Sequence, residues 1–138
     1  MKKLFSLLLA LLVLFSLAST AYASGEAEET LGITTEDFSY FIYTTNTFNI
    51  VSGTANCGAT ALCTSSVDRI DLSIYLQRYD GGWITIAHWN NSTNSNYASL
   101  SAQYPLTSGY SYRLRNFYYA YIDGYCVDTN IVNYYRDY

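Results

Sequence analysis

The 138-residue chain has few of the groups on which most enzymes and nucleic-acid-binding proteins depend. It contains one histidine, His88, together with one proline and three cysteines, and only 13% of its residues are charged. A single histidine argues against a self-sufficient hydrolase of ordinary design. Seven basic residues stand against eleven acidic ones, so no basic surface is present to release counterions from phosphates. This balance argues against a nucleic-acid partner.

Aromatic and aliphatic residues are abundant instead. Half of the chain is hydrophobic, and it contains 16 Tyr, six Phe and two Trp. Disordered chains are poor in aromatic residues and rich in charge, so this composition predicts a folded protein. Its length is that of one domain.

The first 23 residues have the pattern of a cleaved secretory signal peptide. Lys2 and Lys3 precede an apolar stretch at residues 4–17, and Ala21-Tyr22-Ala23 places small residues at the two positions that a signal peptidase recognises. A retained membrane anchor is the alternative, but the apolar stretch is short for a span and no basic cluster follows it. Ser24 stands where a lipoprotein would need Cys. We therefore expect a secreted, bacterial-type protein that is not inserted in a membrane after cleavage.

The expected mature chain, residues 24–138, has five arginines, eleven acidic residues and no lysine, which gives a formal charge of −6. Without lysine it has no Lys–Asn isopeptide crosslink and no Schiff-base chemistry. Residues 24–37 hold five of the acids and few large apolar side chains, and they are predicted to form a flexible acidic arm. Residues 38–138 are the predicted domain.

Short blocks rich in Thr, Tyr, Ile, Val and Phe make up this domain, without a 3.6-residue apolar period. The clearest strand is 67–79, where Ile70, Leu72, Ile74 and Leu76 alternate with polar residues. Asp80-Gly81-Gly82 and Asp123-Gly124 predict tight turns, and residues 56–60 and 90–96 are predicted loops. The other predicted strands are 38–44 with 48–53, 83–89, 97–104, 110–122 and 125–134. Together these elements predict an all-β, immunoglobulin-like antiparallel β-sandwich of about seven strands.

The segment from Leu106 to Tyr112 has the form L-x-x-G-x-x-Y, with Gly109 in the middle. It resembles the tyrosine corner of immunoglobulin-like and fibronectin type III sandwiches. The resemblance implies that Leu106 packs in the core, that Gly109 turns the chain, and that the Tyr112 hydroxyl bonds to the corner backbone.

A wider resemblance is to an uncharacterised family of small secreted proteins of Gram-positive bacteria. It spans about half of the mature chain and is carried by four segments, namely Ile74-Tyr75-Leu76-Gln77-Arg78-Tyr79, Gly82-Trp83, Trp89 and Gly109-Tyr110-Ser111-Tyr112-Arg113. This resemblance implies no known activity.

Three cysteines in an exported chain predict one disulfide and one remaining thiol. With Cys57 and Cys63 in one connection and Cys126 at the other end of a sandwich, we expect a Cys57–Cys63 bridge. Cys126 is then a free thiol, either buried or paired between molecules. Pairings of Cys126 with Cys57 or Cys63 remain the alternative.

Other arrangements for chemistry are weak. A catalytic Cys126–His88 pair has no basic surroundings in the sequence, and a zinc site from His88 and the three cysteines lacks the usual ligand spacing. Asp68 and Asp71 fall on opposite faces of a regular strand, which does not suit a general acid and base. Asp37, Asp80 and Asp123 form no recognisable calcium loop. No cofactor or metal is expected, and no catalytic residue is assigned.

The aromatic residues are too many to be core alone. On strand 110–122, the residues Arg113, Arg115, Phe117, Tyr119 and Tyr121 share one face, which points outward if Leu114 faces the core. Such a face suits sugar stacking or protein contact, although cross-strand pairing that only stabilises the sheet explains it too. The candidate binding residues are Arg113, Arg115, Tyr119 and Tyr121, with Trp83 or Trp89.

Three functions follow from this sequence. The first is a non-catalytic extracellular module that binds a glycan or a protein at the cell surface. The second is a structural or self-assembling surface protein that associates through the aromatic edge strands 38–44 and 125–138. A small secreted enzyme is the third, disfavoured by the scarcity of catalytic side chains.

Overall fold

Seven β-strands account for most of residues 40–138, which are the residues that the computed structural model describes. The predicted signal peptide, the acidic arm and residues 38–39 lie outside this range. Within it there is no helix, and therefore none able to cross a membrane. The strands are β1 (Phe41–Val51), β2 (Thr54–Cys63), β3 (Arg69–Tyr79), β4 (Trp83–Thr93), β5 (Tyr97–Pro105), β6 (Ser111–Ile122) and β7 (Tyr125–Asp137).

The strands form two antiparallel sheets. The three-stranded sheet has the order β1-β2-β5, and the four-stranded sheet has the order β4-β3-β6-β7. The central strands β2 and β3 follow each other in the chain but lie in different sheets, which is how a sandwich encloses a core between its layers. The predicted all-β sandwich is confirmed.

The core comes from the alternate residues that both sheets turn inward. On β3, Ile70, Leu72, Ile74 and Leu76 are all fully buried, as their alternation predicts. The facing strand β2 contributes only small side chains, Ala55, Cys57, Ala59, Ala61 and Cys63. Leu114, Tyr112 and Tyr118 of β6 complete the four-stranded side.

Three predicted boundaries were wrong. Residues 56–60 are not a loop but the middle of β2, and the two predicted pieces of the first strand form one continuous strand, β1. The predicted loop 90–96 is largely strand as well, because β4 continues to Thr93. Small and polar residues have low intrinsic strand preference, and pairing with neighbouring strands overrides it.

Tight turns set the hairpin registers. Ser52 and Gly53 both have positive φ, as do Asp123 and Gly124, so each pair forms the two-residue connection whose twist matches that of its strands. The turn at Asp123 is further held by Asp68 Oδ2, which accepts a hydrogen bond from the Asp123 amide at 2.6 Å.

The loop before β6 forms a hydrogen-bonded corner. Tyr112 is 1% exposed, and its hydroxyl donates to Thr107 O at 2.6 Å and accepts from Thr107 N at 3.1 Å. Gly109 has φ +90°, a conformation that a Cβ disfavours, and Leu106 packs against the core. The segment therefore has the geometry that its resemblance to a tyrosine corner implies.

Candidate functional site

The outward side of the four-stranded sheet carries many aromatic and cationic side chains. Cross-strand pairing aligns them in rows, since directly opposed residues of antiparallel strands point to the same side. We call this surface the aromatic face. Its aromatic and arginine members are Arg69, Tyr75, Tyr79, Trp83, His88, Arg113, Arg115, Phe117, Tyr119, Tyr121 and Tyr135.

Five of the six candidate binding residues lie on the aromatic face. Arg113, Arg115, Tyr119 and Tyr121 alternate with the buried residues of β6 and point outward, and Trp83 lies two strands away at the start of β4.

Trp89 does not belong to this surface. It pairs with the fully buried Ile74, packs against the core and meets Tyr104 of β5 edge-on at 6.3 Å. The choice between Trp83 and Trp89 is thereby corrected to Trp83, because residue 89 falls on the inward side of β4.

Trp83 is the centre of a four-residue group near one end of the aromatic face. The guanidinium carbon of Arg113 lies 4.5 Å from the Trp83 ring centroid. Tyr79 and Tyr135 approach the same ring edge-on, with centroids at 5.3 and 5.7 Å. Both tyrosines remain about half exposed, at 48% and 54%. We call these four residues the Trp83 cluster.

Gln77 holds the Arg113 guanidinium in place. Its Oε1 accepts hydrogen bonds from Nε and Nη2 of Arg113 at 2.8 and 2.5 Å, and its Nε2 donates to Thr85 Oγ1 at 3.0 Å. The two ion pairs of residues 40–138 involve Arg69 with Asp71 and Arg78 with Asp80. Arg113 thus has a fixed position, remaining N–H donors and no carboxylate partner within the described region.

A polar depression of about 360 Å³ lies between β3 and β4 on the aromatic face. Its side chains include Asp71, Ser73, Asn90 and Ser92, and Ser92 Oγ donates to Asp71 Oδ1 at 2.5 Å. Tyr75 follows Ser73 on the outward side of β3, where its ring stacks on that of His88 at 4.1 Å between centroids. Aromatic rings and hydrogen-bonding groups are therefore close neighbours here.

Aromatic contacts continue from Tyr75 onto β6. The Tyr75 and Phe117 rings meet edge-on at 5.3 Å, and Tyr119 stacks at 6.5 Å from Phe117. Arg115 lies over Phe117 and Arg69 over Tyr121, at 5.2 and 3.8 Å from the ring centroids. Such cross-strand contacts also stabilise the sheet by a few tenths of a kcal/mol to about 1 kcal/mol each.

The expected Cys57–Cys63 disulfide is wrong, since all three cysteines are free. Cys57 and Cys63 lie six residues apart on β2. At about 3.3 Å per residue, their Cα atoms are separated by about 20 Å, whereas a disulfide needs them within about 7 Å.

The expected position of Cys126 is also corrected. Cys126 lies at the same end of the sandwich as Cys63, not the opposite end, because Asp128 Oδ2 accepts from Tyr40 N and Tyr40 O accepts from Thr64 N. Cys126 nevertheless pairs with the outward Tyr121 and is exposed. Cys63 is fully buried on the inward side, so the sheet separates the two thiols.

Burial makes two of the three thiols poor nucleophiles. Desolvation raises the pKa of Cys57 to about 12. The pKa of Cys63 is also raised to about 12, mainly by desolvation and to a smaller extent by the nearby Asp128 carboxylate. A thiol reacts as its thiolate, so both behave as small core residues. Tyr118, also buried, has a raised pKa, chiefly through desolvation.

Four of the six acidic residues in 40–138 are engaged in local contacts. Asp68 accepts from the Asp123 amide, Asp128 accepts from Tyr40 N and Thr129 N, and Asp71 and Asp80 pair with arginines. Within residues 40–138 no three His, Cys, Asp or Glu side chains form a metal-binding group. His88 is stacked on Tyr75 on the outward side, away from the two buried thiols.

Sequence reasoning missed three members of the Trp83 region, Gln77, Tyr79 and Tyr135. Gln77 looked like an ordinary outward polar residue of β3, and its role depends on its partner Arg113, 36 residues later. Tyr135 lay just beyond the predicted end of the last strand. The excess of tyrosine near strand ends was the signal present in the sequence.

No protein-family model matches this chain, and no curated protein matches it. The chemistry of the two sheets is therefore the basis for interpreting its function.

Proposed function

We propose that the chain is a secreted, non-catalytic binding module that recognises a carboxylate-bearing glycan through the aromatic face. The observation that carries this proposal is the Trp83 cluster. It holds a guanidinium without a carboxylate partner in a fixed position over Trp83, whose ring also contacts two half-exposed tyrosines.

Each part of the cluster matches a feature of such a glycan. Tyrosine rings offer apolar area for the C–H surface of a sugar and a hydroxyl for its polar groups. Arginine matches a carboxylate through two parallel N–H donors, and Gln77 has already fixed its orientation. A positioned group loses less side-chain entropy on binding, which favours affinity.

The charge distribution also supports an anionic group at this position. The whole chain has a formal charge of −4, yet neighbouring outward positions on β6 hold two cations, Arg113 and Arg115. The polar depression at Asp71, Ser73, Asn90 and Ser92 supplies hydrogen-bonding groups for further sugar units on the same face.

The test is titration of the protein with an oligogalacturonate and with its carboxyl-reduced form. We expect saturable binding of the acidic chain that weakens as ionic strength rises, because part of the attraction is Coulombic. Arg113→Gln should weaken binding about tenfold or more, and Tyr135→Ala should do the same by removing an exposed ring. The carboxyl-reduced chain should bind no better than the Arg113→Gln variant binds the acidic one.

Two variants serve as matched controls. Arg136→Gln removes an equal charge from a half-buried arginine outside the cluster, and Tyr125→Ala removes a 77% exposed ring from the start of β7. If these variants lose as much binding as the cluster variants, or if the acidic chain binds no better than its reduced form, the proposal is wrong.

Self-association is the second candidate function, and the placement of two aromatic strands favours it. β1 and β7 are edge strands of their sheets and lie side by side, joined by Asn130 Nδ2 donating to Thr44 Oγ1 at 3.1 Å. Edge strands offer unpaired backbone groups to a second copy. Sedimentation over a range of protein concentrations, with and without reductant, tests this function and any covalent link through Cys126. A monomer at every concentration would contradict it.

A further inference from the structure

The outward side of the three-stranded sheet differs from the aromatic face in its chemistry. None of the residues of β1, β2 and β5 carries a charge. At the centre of this surface, three cross-strand rows carry only hydroxyl and amide side chains around Gly58, namely Thr45–Thr60–Ser99, Thr47–Gly58–Ser101 and Asn49–Asn56–Gln103. We call this surface the amide–hydroxyl face.

A missing side chain creates a depression in the middle row. Gly58 occupies the central strand between Thr47 and Ser101, and a cavity of about 460 Å³ opens there. Its polar side chains are Thr47, Asn56, Ser101 and Gln103. A Cβ at position 58 would come within 3.1 Å of Thr47 Cβ, so glycine is the residue that leaves this space open.

The two flanking rows satisfy part of their own hydrogen bonding. Thr60 and Ser99 share a hydrogen bond of 3.0 Å between their hydroxyls, and Gln103 Nε2 donates to Asn56 Oδ1 at 2.7 Å. That second bond leaves Asn56 Nδ2 as a donor and Gln103 Oε1 as an acceptor beside the cavity. Thr47 and Ser101 hydroxyls add to these groups, and no hydrogen bond within residues 40–138 engages either hydroxyl.

We propose that this depression is a second binding site, specific for a neutral saccharide. Adjacent hydroxyls of a sugar need a donor and an acceptor in close proximity, which the Asn56–Gln103 pair supplies. A charged ligand would find no counter-charge on any of the three strands and would lose hydration without compensation. The volume is that of a small-molecule site, about 300–1,000 Å³, and its shallow, open form suits a segment of a chain that continues beyond it.

The test is NMR titration of the ¹⁵N-labelled protein with neutral cello-, laminari- and manno-oligosaccharides. We expect one of them to shift the amide resonances of Gly58, Ser101 and Gln103 in a saturable manner. Affinity should change little with ionic strength, because no charged group takes part. Binding at the aromatic face should instead weaken with salt. The salt dependence therefore distinguishes the two sites, and either proposal can be disproved without the other.

Three variants complete the experiment. Gly58→Val fills the depression, and Gln103→Ala removes its acceptor without altering the strand backbone, so it addresses the case in which Gly58→Val destabilises the fold. Each should lower affinity about tenfold or more, whereas Thr45→Ala, on the same face but outside the cavity, should leave it unchanged. Equal binding by Gln103→Ala and the parent, shifts confined to the aromatic face, dimerisation through the amide–hydroxyl face, or no shift with any of the three oligosaccharides would each overturn the proposal.

Discussion

The two sheets of this domain bury alternate residues in the same way but carry different types of side chain on their outward sides. Both bury alternate residues against a shared core. The four-stranded sheet presents rows of rings and guanidinium groups, whereas the centre of the three-stranded sheet presents hydroxyls and amides, and none of its three strands carries a charge. The alternation of buried residues thus fixes the fold, and the residues between them are free to differ between the two faces.

The inward sides differ as well. β3 presents four large aliphatic side chains, while the opposing β2 presents alanine and cysteine. Large residues facing small ones let the two layers interlock at the density of a protein interior. β3 consequently contributes larger buried apolar side chains to the core than β2 does.

Core truncation should show this asymmetry most strongly. Leu72→Ala removes a fully buried side chain and should cost about 2–5 kcal/mol of unfolding free energy through lost burial and the resulting cavity. Ala59→Gly on the opposing strand should cost about 0.5–1 kcal/mol. Urea denaturation measures both. Equal costs would show that the two inner faces contribute alike.

The hydrogen-bonded corner should give the next largest effect. Tyr112→Phe keeps the ring but leaves Thr107 N and O without their partner, which should cost about 1–3 kcal/mol. Tyr110→Phe is the control, since its ring contacts Arg78 and its hydroxyl has no hydrogen bond within the described residues. If both variants unfold at the same urea concentration, the corner bond adds nothing to stability.

Alkaline pH should destabilise the domain through the three-stranded sheet. The folded-state pKa of Cys57 and Cys63 is raised from 9.0 to about 12, so between these values the unfolded chain releases thiol protons that the folded chain keeps. Stability contributed by the neutral thiols is therefore present below pH 9.0 and is lost as pH rises toward 12.

The double variant Cys57→Ala/Cys63→Ala isolates this contribution. The variant should show a shallower fall in unfolding free energy over that pH window, while Tyr118 still titrates in both proteins. Identical slopes of unfolding free energy against pH in the parent and the variant would contradict the presence of two free, buried thiols.

The aromatic face should contribute least to stability. Tyr135→Ala should cost at most about 1 kcal/mol, because the half-exposed ring makes one edge contact with Trp83. Thr60→Ala on the opposite face should cost a similar small amount. A loss of several kcal/mol in Tyr135→Ala, measured by thermal unfolding, would identify the ring row as a structural element and remove the support for ligand binding there.

The sequence was sufficient to predict the sandwich, the β3 core residues and the outward row on β6. Those predictions depend on period-two alternation, which is a local property of each strand. β2 was not predicted because Ala, Gly and Asn have low strand preference. Only the bulky side chains of β3 opposite explain why small residues are needed there.

The candidate sites were less predictable because they depend on pairing between distant strands. Gln77 and Arg113 meet through the β3–β6 register, and the depression at Gly58 exists only because Thr47 and Ser101 flank it from β1 and β5. The disulfide prediction was wrong for the same reason, since it depended on a loop that proved to be a strand.

The order of the strands also has a kinetic consequence. β1 with β2, β3 with β4, and β6 with β7 are neighbours in the chain and can close as hairpins within microseconds. By contrast, the β2–β5 pair of Ala59 with Leu100 and the β3–β6 pair of Leu72 with Tyr118 each join residues more than 40 positions apart in the chain. Refolding is therefore expected on the millisecond-to-second scale of sandwiches. Assembly of the two sheets, rather than formation of any hairpin, is then the slow step.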